Sequence, residues 1–94
     1  MNMAQQVNMP SHVLARDVGE ETVILDLASG TYFGLNPVGA RMWQLMREGK
    51  SLGEICAAVE SEYQATRGEI ERDLAKLVAD LAAKGLITLD ERNH

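Results

Sequence analysis

In the first third of the chain apolar positions alternate with polar or small ones, and after that they recur at helical spacing. Val23, Leu25 and Leu27 alternate with Thr22, Ile24 and Asp26, and the mostly β-branched or aliphatic character of these residues predicts a strand. His12 to Arg16 is a candidate partner strand, separated from it by Asp17 to Glu21, where Gly19 suits a turn. Ala28-Ser29-Gly30 then makes a short connection to Thr31-Tyr32-Phe33-Gly34-Leu35, which alternates and carries strong β-formers. Together these segments predict an antiparallel meander.

At Asn36 the period changes from two to 3.6. Asn36 can cap a helix, Pro37 fits its first position and Gly49 can end it, so a first helix is predicted over Pro37 to Glu48. Val38, Met42, Leu45 and Met46 form its buried stripe, with Trp43 on the flank. Ser51 and Glu54 spell a capping box for a second helix lined by Leu52, Ile55, Cys56 and Val59, and Thr66 with Glu69 repeats the box for a third. That third helix runs to Lys84, stops at Gly85 and carries the stripe Ile70, Leu74, Leu77, Val78 and Leu81. Leu86 to Leu89 is short and β-prone, able either to return along the sheet or to cover the base of the helices. The fold class expected is therefore α+β: a three-stranded antiparallel sheet followed by three helices, similar to a winged helix-turn-helix with its hairpins first. Residues 1–11 are expected to be a disordered lead-in, 12–90 one domain, and 91–94 a frayed tail.

Composition narrows the function classes. With 94 residues, 46% hydrophobic and 24% charged, the chain is sized for one globular domain with a single core. No apolar run approaches the ~20 residues of a membrane-spanning helix, and the N-terminus lacks the basic flank and apolar stretch of a secretory signal, which together suggest a cytoplasmic protein. A net charge of −5 opposes attraction to phosphate backbones and acidic membranes. The third helix, with four positive and four negative side chains from Arg67 to Lys84, lacks the surplus of Arg and Lys that a recognition helix uses. A winged helix-turn-helix DNA-binding regulator is thus the weaker alternative.

Convergent catalytic groups are missing from the pattern. His12 and His94 have no Cys or His at metal-ligand spacing, and Cys56 sits on an apolar stripe, where a free thiol packs as a small hydrophobe. Glu69, Glu71, Asp73 and Asp80 are interleaved with Arg72, Lys76 and Lys84, as on a solvated, salt-bridged helix face. Gly30, Gly34 and Gly39 are followed by no lysine at phosphate-loop spacing. No enzyme, cofactor or metal is expected. What remains is a surface made by secondary structure itself: Thr31 to Leu35 ends its meander, so one edge is either open to an incoming extended peptide or protected by twist, by a helix or by Leu86 to Leu89. If Leu35 joins the core Phe33 does too, which leaves Tyr32 on the opposite face as a partner contact or a solvent-side residue.

Against this background LDLASGTYFGLNPVGARMW (Leu25 to Trp43), SLGEICAAVESEY (Ser51 to Tyr63) and DLAKLVADLAAKGLI (Asp73 to Ile87) resemble the PqqD-like family, the peptide-recognition domains of ribosomally made peptide pathways. The resemblance runs from about Val13 to Leu89. It implies non-catalytic binding of a precursor's leader segment as a fourth strand beside Thr31, Tyr32, Phe33, Gly34 and Leu35, with leader side chains held against Ile70, Asp73, Leu74, Leu77 and Val78 of the third helix. The acidic stand-alone chain with TYFGLNPVG is most similar to the small adaptor of lasso-peptide pathways, which implies a separate leader peptidase or modifying enzyme as partner. A peptide chaperone of pyrroloquinoline quinone biosynthesis, with a radical enzyme as partner, is the alternative within the family.

Overall fold

The structure, a computed structural model, describes residues 2–19 and 21–90. The expected 91–94 tail lies outside them.

Three strands form the antiparallel meander: β2 (Val13–Val18), β3 (Glu21–Asp26) and β4 (Tyr32–Leu35), in the order β2-β3-β4. A further short strand, β1 (Val7–Asn8), precedes them. The β3–β4 turn is built on Asp26, whose carboxylate accepts from the Ala28 N–H and the Ser29 hydroxyl at 2.9 Å each. Its backbone carbonyl accepts from Gly30 at 2.8 Å, and Gly30 holds a φ of +74° that glycine adopts without penalty. Asp26 is buried, and burial disfavours its charge. The Ser29 hydroxyl, the Ala28 N–H and His12, 3.6 Å away, nevertheless hold its carboxyl below the ordinary aspartate value.

Three helices follow: α1 (Pro37–Arg47), α2 (Leu52–Glu62) and α3 (Arg67–Ala83), with α1 and α3 ending one residue before the expected Glu48 and Lys84. Asn36 accepts the Gly39 N–H at 2.7 Å, and Ser51 with Glu54 closes the full capping box. The second box is only half made. Thr66 accepts the Glu69 N–H, but the Glu69 carboxylate takes the Thr66 hydroxyl instead of its backbone N–H. Trp43, placed on the flank by its spacing, is 3% exposed and belongs to the buried face of α1 with Met42, Leu45 and Met46. Arg41 clamps α1 to α2 through two 2.9 Å bonds to the Glu62 carboxylate. One core gathers Ile24 and Leu35 from the sheet and the inner faces of all three helices, with Cys56 fully buried and its thiol pushed up by burial.

The N-terminal segment departs from the expected disordered lead-in. β1 pairs antiparallel with β5 (Thr88–Leu89), and Val7 is buried against the core. The carbonyls of Met3 and Gln5 accept from Gly53 and Leu52, two amides in the first turn of α2 that have no partner within the helix. Gly53 fits this strap closely, since a Cβ there would lie 3.3 Å from the Met3 carbonyl oxygen. The chain after Gly85 therefore covers the base of the helices, with Leu86 and Ile87 buried, and leaves the edge of β4 alone.

A strand edge facing a groove

β4 ends the sheet, and the hydrogen-bond parity tells which of its backbone groups are committed. Asp26 donates its N–H to the Thr31 carbonyl at 2.8 Å. In an antiparallel pair such bonded positions recur every second residue, so Phe33 and Leu35 exchange bonds with Ile24 and Thr22, their register partners. Tyr32 and Gly34 then turn their N–H and C=O groups to the open side. Among the described residues no strand of the sheet lies there.

Beside this edge lies a groove of about 400 Å³. Phe33 and Leu35 face it from β4, Val38 and Met42 from α1, Val59 from α2 and Tyr63 from the residue that caps α2. The opposite wall is α3. Successive helical residues advance by about 100°, so taking Leu74 as the centre of the buried stripe puts Ile70, Val78 and Leu81 within about 40° of it. These four are between 0% and 4% exposed. Leu77, Asp73, Asp80 and Lys76 fall in the next sector, roughly 60° to 160° round on one side, and all four line the groove. Ile70 sits at the boundary, buried yet reaching the groove.

The residues implicated by resemblance thus separate. Phe33, Gly34, Leu35, Ile70, Asp73 and Leu77 border the groove, while Thr31 commits its carbonyl to β3 and Tyr32 turns its side chain away, 72% exposed. Leu74 and Val78 do not reach the groove and support its wall from the core. Lys76 and Asp80, read from sequence as part of a salt-bridged face, belong to the groove instead. Among the described residues neither their side chains nor that of Asp73 make an ion pair or hydrogen bond, whereas Arg67 pairs with Glu71 at 3.0 Å, i to i+4, on another side of the helix. The spacing of Lys76, Leu77 and Asp80 at three, four and seven from Asp73 was the available signal. At the far end the Lys84 ammonium lies 6.0 Å from the Phe33 ring centroid, a cation–π distance.

Chemically the arrangement is one of recognition. Backbone donors and acceptors lie along one side, an apolar floor below, and unpaired charges on the rim. Among the described residues no three His, Cys, Asp or Glu side chains gather as a metal site, and no helix is long and apolar enough to cross a membrane.

Two solved structures are similar over nearly their whole length. One is described as TbiB1 in complex with the TbiA(beta) leader peptide; it is 38% identical, with 93% of this chain and 99% of that one covered and a TM-score of 0.79. The other, lasso peptide synthetase B1 complexed with the leader peptide, is 29% identical, with 88% and 98% covered and a TM-score of 0.81. No curated protein matches the chain. The profile of the family described as coenzyme PQQ synthesis protein D matches residues 21–87, from the central strand of the sheet to the end of the third helix and just beyond. The chain belongs to the PqqD family.

Proposed function

We propose that the protein is a non-catalytic adaptor that captures the leader of a ribosomally made precursor peptide as a fourth strand on β4 and presents the precursor to its processing enzymes. The observation that carries this reading is the uncommitted backbone of Tyr32 and Gly34, set beside a groove walled by α3. Strand addition takes its affinity from main-chain hydrogen bonds and its selectivity from pockets for alternate side chains. Here every second leader residue would enter the groove, over Phe33, Leu35, Ile70 and Leu77, with Asp73, Lys76 and Asp80 at the rim to sort the charges beside it. Leu74 and Val78 act indirectly, by holding the wall in place.

The partner enzyme in this reading is a leader peptidase or modifying enzyme of a lasso-type pathway, supported by the leader-bound structures to which the chain is similar. Holding leader and enzyme together makes the encounter of core peptide and active site effectively intramolecular. Titrating the isotope-labelled protein with its cognate leader tests the reading. Shifts are expected at Tyr32, Gly34, Asp73 and Leu77, with the peptide's mass unchanged over hours. Shifts confined to α2 and the N-terminal strap, or modification of the peptide by the protein alone, would refute it.

A further inference from the structure

The sheet has a second free edge, on β2. Leu27 donates its N–H to the His12 carbonyl at 2.9 Å, so Leu14, Arg16 and Val18 exchange bonds with Leu25, Val23 and Glu21, their register partners. Ala15 and Asp17 fall between these and turn their N–H and C=O groups outward, while the Val13 N–H is taken by the Pro10 carbonyl at 3.1 Å. Among the described residues no strand pairs with this edge. Ala15 and Asp17 stand opposite Ile24 and Thr22, so their side chains share the inner face of the sheet with the fully buried Ile24.

A second cavity, about 410 Å³, lies beside this edge between the sheet and α1. Ala15, Asp17 and Thr22 line it from the sheet, and Arg41, Trp43 and Arg47 from α1. Their polar groups are unequally committed. Arg41 is held by Glu62, and the Asp17 carboxylate accepts the Thr22 hydroxyl at 2.9 Å. Arg47 is exposed, and its side chain makes no ion pair or hydrogen bond among the described residues. Trp43 is 3% exposed, and its Nε1 is enclosed without an acceptor. A buried donor left unpaired is costly, and buried indole N–H groups usually find a partner.

Charge and shape select the occupant. The lining carries two guanidiniums against one carboxylate, a positive site on an acidic chain. An unneutralised guanidinium and an unpaired N–H call for a carboxylate, which accepts from both. The outward backbone of Ala15 and Asp17 beside them calls for an extended chain, whose alternate side chains enter the cavity as theirs do. A free anion leaves that backbone unused. A second copy paired through its own β2 brings Val13, Ala15 and Asp17 on that row, its one carboxylate already bonded to Thr22, and adds the repulsion of two chains of net charge −5.

We propose that the β2 edge is a second peptide-binding site, taking an extended acidic segment of a separate polypeptide whose carboxylate meets Arg47 and the Trp43 indole. Strands added outside β2 and outside β4 lie four spacings, about 19 Å, apart. A leader segment seated on β4 therefore does not reach this site, which fills whether the groove is occupied or empty. The proposal stands apart from the reading of the groove.

Trp43 is the only tryptophan, so its indole N–H gives a single resonance in the isotope-labelled protein. The probes are acetyl-Val-Glu-Val-Glu-Val-amide, its glutamine counterpart, and acetate. The glutamate peptide should move the indole resonance together with the amides of Ala15 and Asp17, and leave Tyr32 and Gly34 in place. The glutamine peptide should bind at least about fivefold more weakly, and Arg47→Gln should weaken the glutamate peptide by a similar factor, as expected for one charge-assisted bond. An indole resonance that ignores the glutamate peptide up to millimolar concentration overturns the proposal, as does unchanged binding in Arg47→Gln. Shifts at Tyr32 and Gly34 in place of Ala15 and Asp17 overturn it in favour of the β4 edge. Acetate that moves the indole as far at equal carboxylate concentration reduces the site to an anion pocket and overturns strand addition there. An indole shift that grows with protein concentration alone overturns it in favour of a second copy.

Discussion

Gly34→Pro separates the two edges of β4 with a single substitution. The Gly34 N–H faces the open side, so the sheet loses no hydrogen bond when proline removes it. The preceding Phe33 is already extended, as a pre-proline residue prefers, and a Cβ at Gly34 meets nothing within 4 Å. The cost to folding is the adjustment of φ alone, about 1 kcal/mol or somewhat more. Leader binding loses one donor outright, and the ring pushes the incoming chain away from the neighbouring carbonyl. At about 1 kcal/mol per bond this is a five- to thirtyfold rise in Kd, roughly 1–2 kcal/mol. Phe33→Pro is the counterpart: it strips a ladder donor and strands the Ile24 carbonyl, about 1–3 kcal/mol of stability before the ring's packing is counted. Gly34→Ala keeps the donor and should bind as the wild type does. Anisotropy of a labelled leader gives Kd, and urea midpoints give stability. If Gly34→Pro binds leader normally, or destabilises the domain as much as Phe33→Pro, the assigned parity of this edge is wrong.

Other consequences follow from particular contacts. Leu74→Ala empties a site with no exposure and should cost 2–5 kcal/mol in urea melts while the folded fraction binds leader normally; Leu77→Ala, on the groove, should show the reverse balance. Deleting residues 2–9 uncovers the Val7 site and frees the Leu52 and Gly53 amides, a loss of about 2–4 kcal/mol to be read from the same melts; an unchanged midpoint would mean that the strap contributes nothing. Asp26 has a folded pKa below its unfolded value, so its contribution to stability is complete above about pH 4 and is lost as pH falls through the depressed value. Thermal midpoints should therefore drop on acidification more steeply in the wild type than in Asp26→Asn, and parallel curves would contradict the assignment.

The local signals were legible in the sequence because each is carried by a few adjacent residues. Asn36, Ser51 with Glu54, Thr66 and the positive-φ glycines at 49 and 85 fix where the helices begin and end. The facing of β3 was not, because both of its faces are apolar. Val23 and Leu25 look as inward as Ile24 does, yet Ile24 is fully buried and the row with Leu25 faces out. Asp26 shares the inner face and is kept there by Ser29 and Ala28, contacts that depend on the turn having formed. The pairing of Val7–Asn8 with Thr88–Leu89 joins opposite ends of the chain, and nothing in either segment specifies the other. On α3 the apolar stripe is wider than one buried face. Spacing alone therefore grouped Leu77 with Leu74 and Val78, although one turns to the groove and the others to the core.

The division of α3 into two adjoining sectors also bears on why a helix in a helix-turn-helix setting should read peptides instead of nucleic acid. A recognition helix keeps one face for the core and lays the opposite, cationic face against phosphates and base edges. Here the sector next to the core is given to the groove, and its charged members are two carboxylates and one ammonium. On another side of the helix Arg67 is already neutralised by Glu71 and Glu60. A duplex approaching α3 would meet few uncommitted cations and a surplus of acid along the rim, on a protein that is acidic overall, so little counterion release would reward the contact. An extended peptide asks for none of that. It needs a free row of backbone groups, an apolar floor and a few fixed charges at the rim, and β4 with α3 supplies each of them at one place.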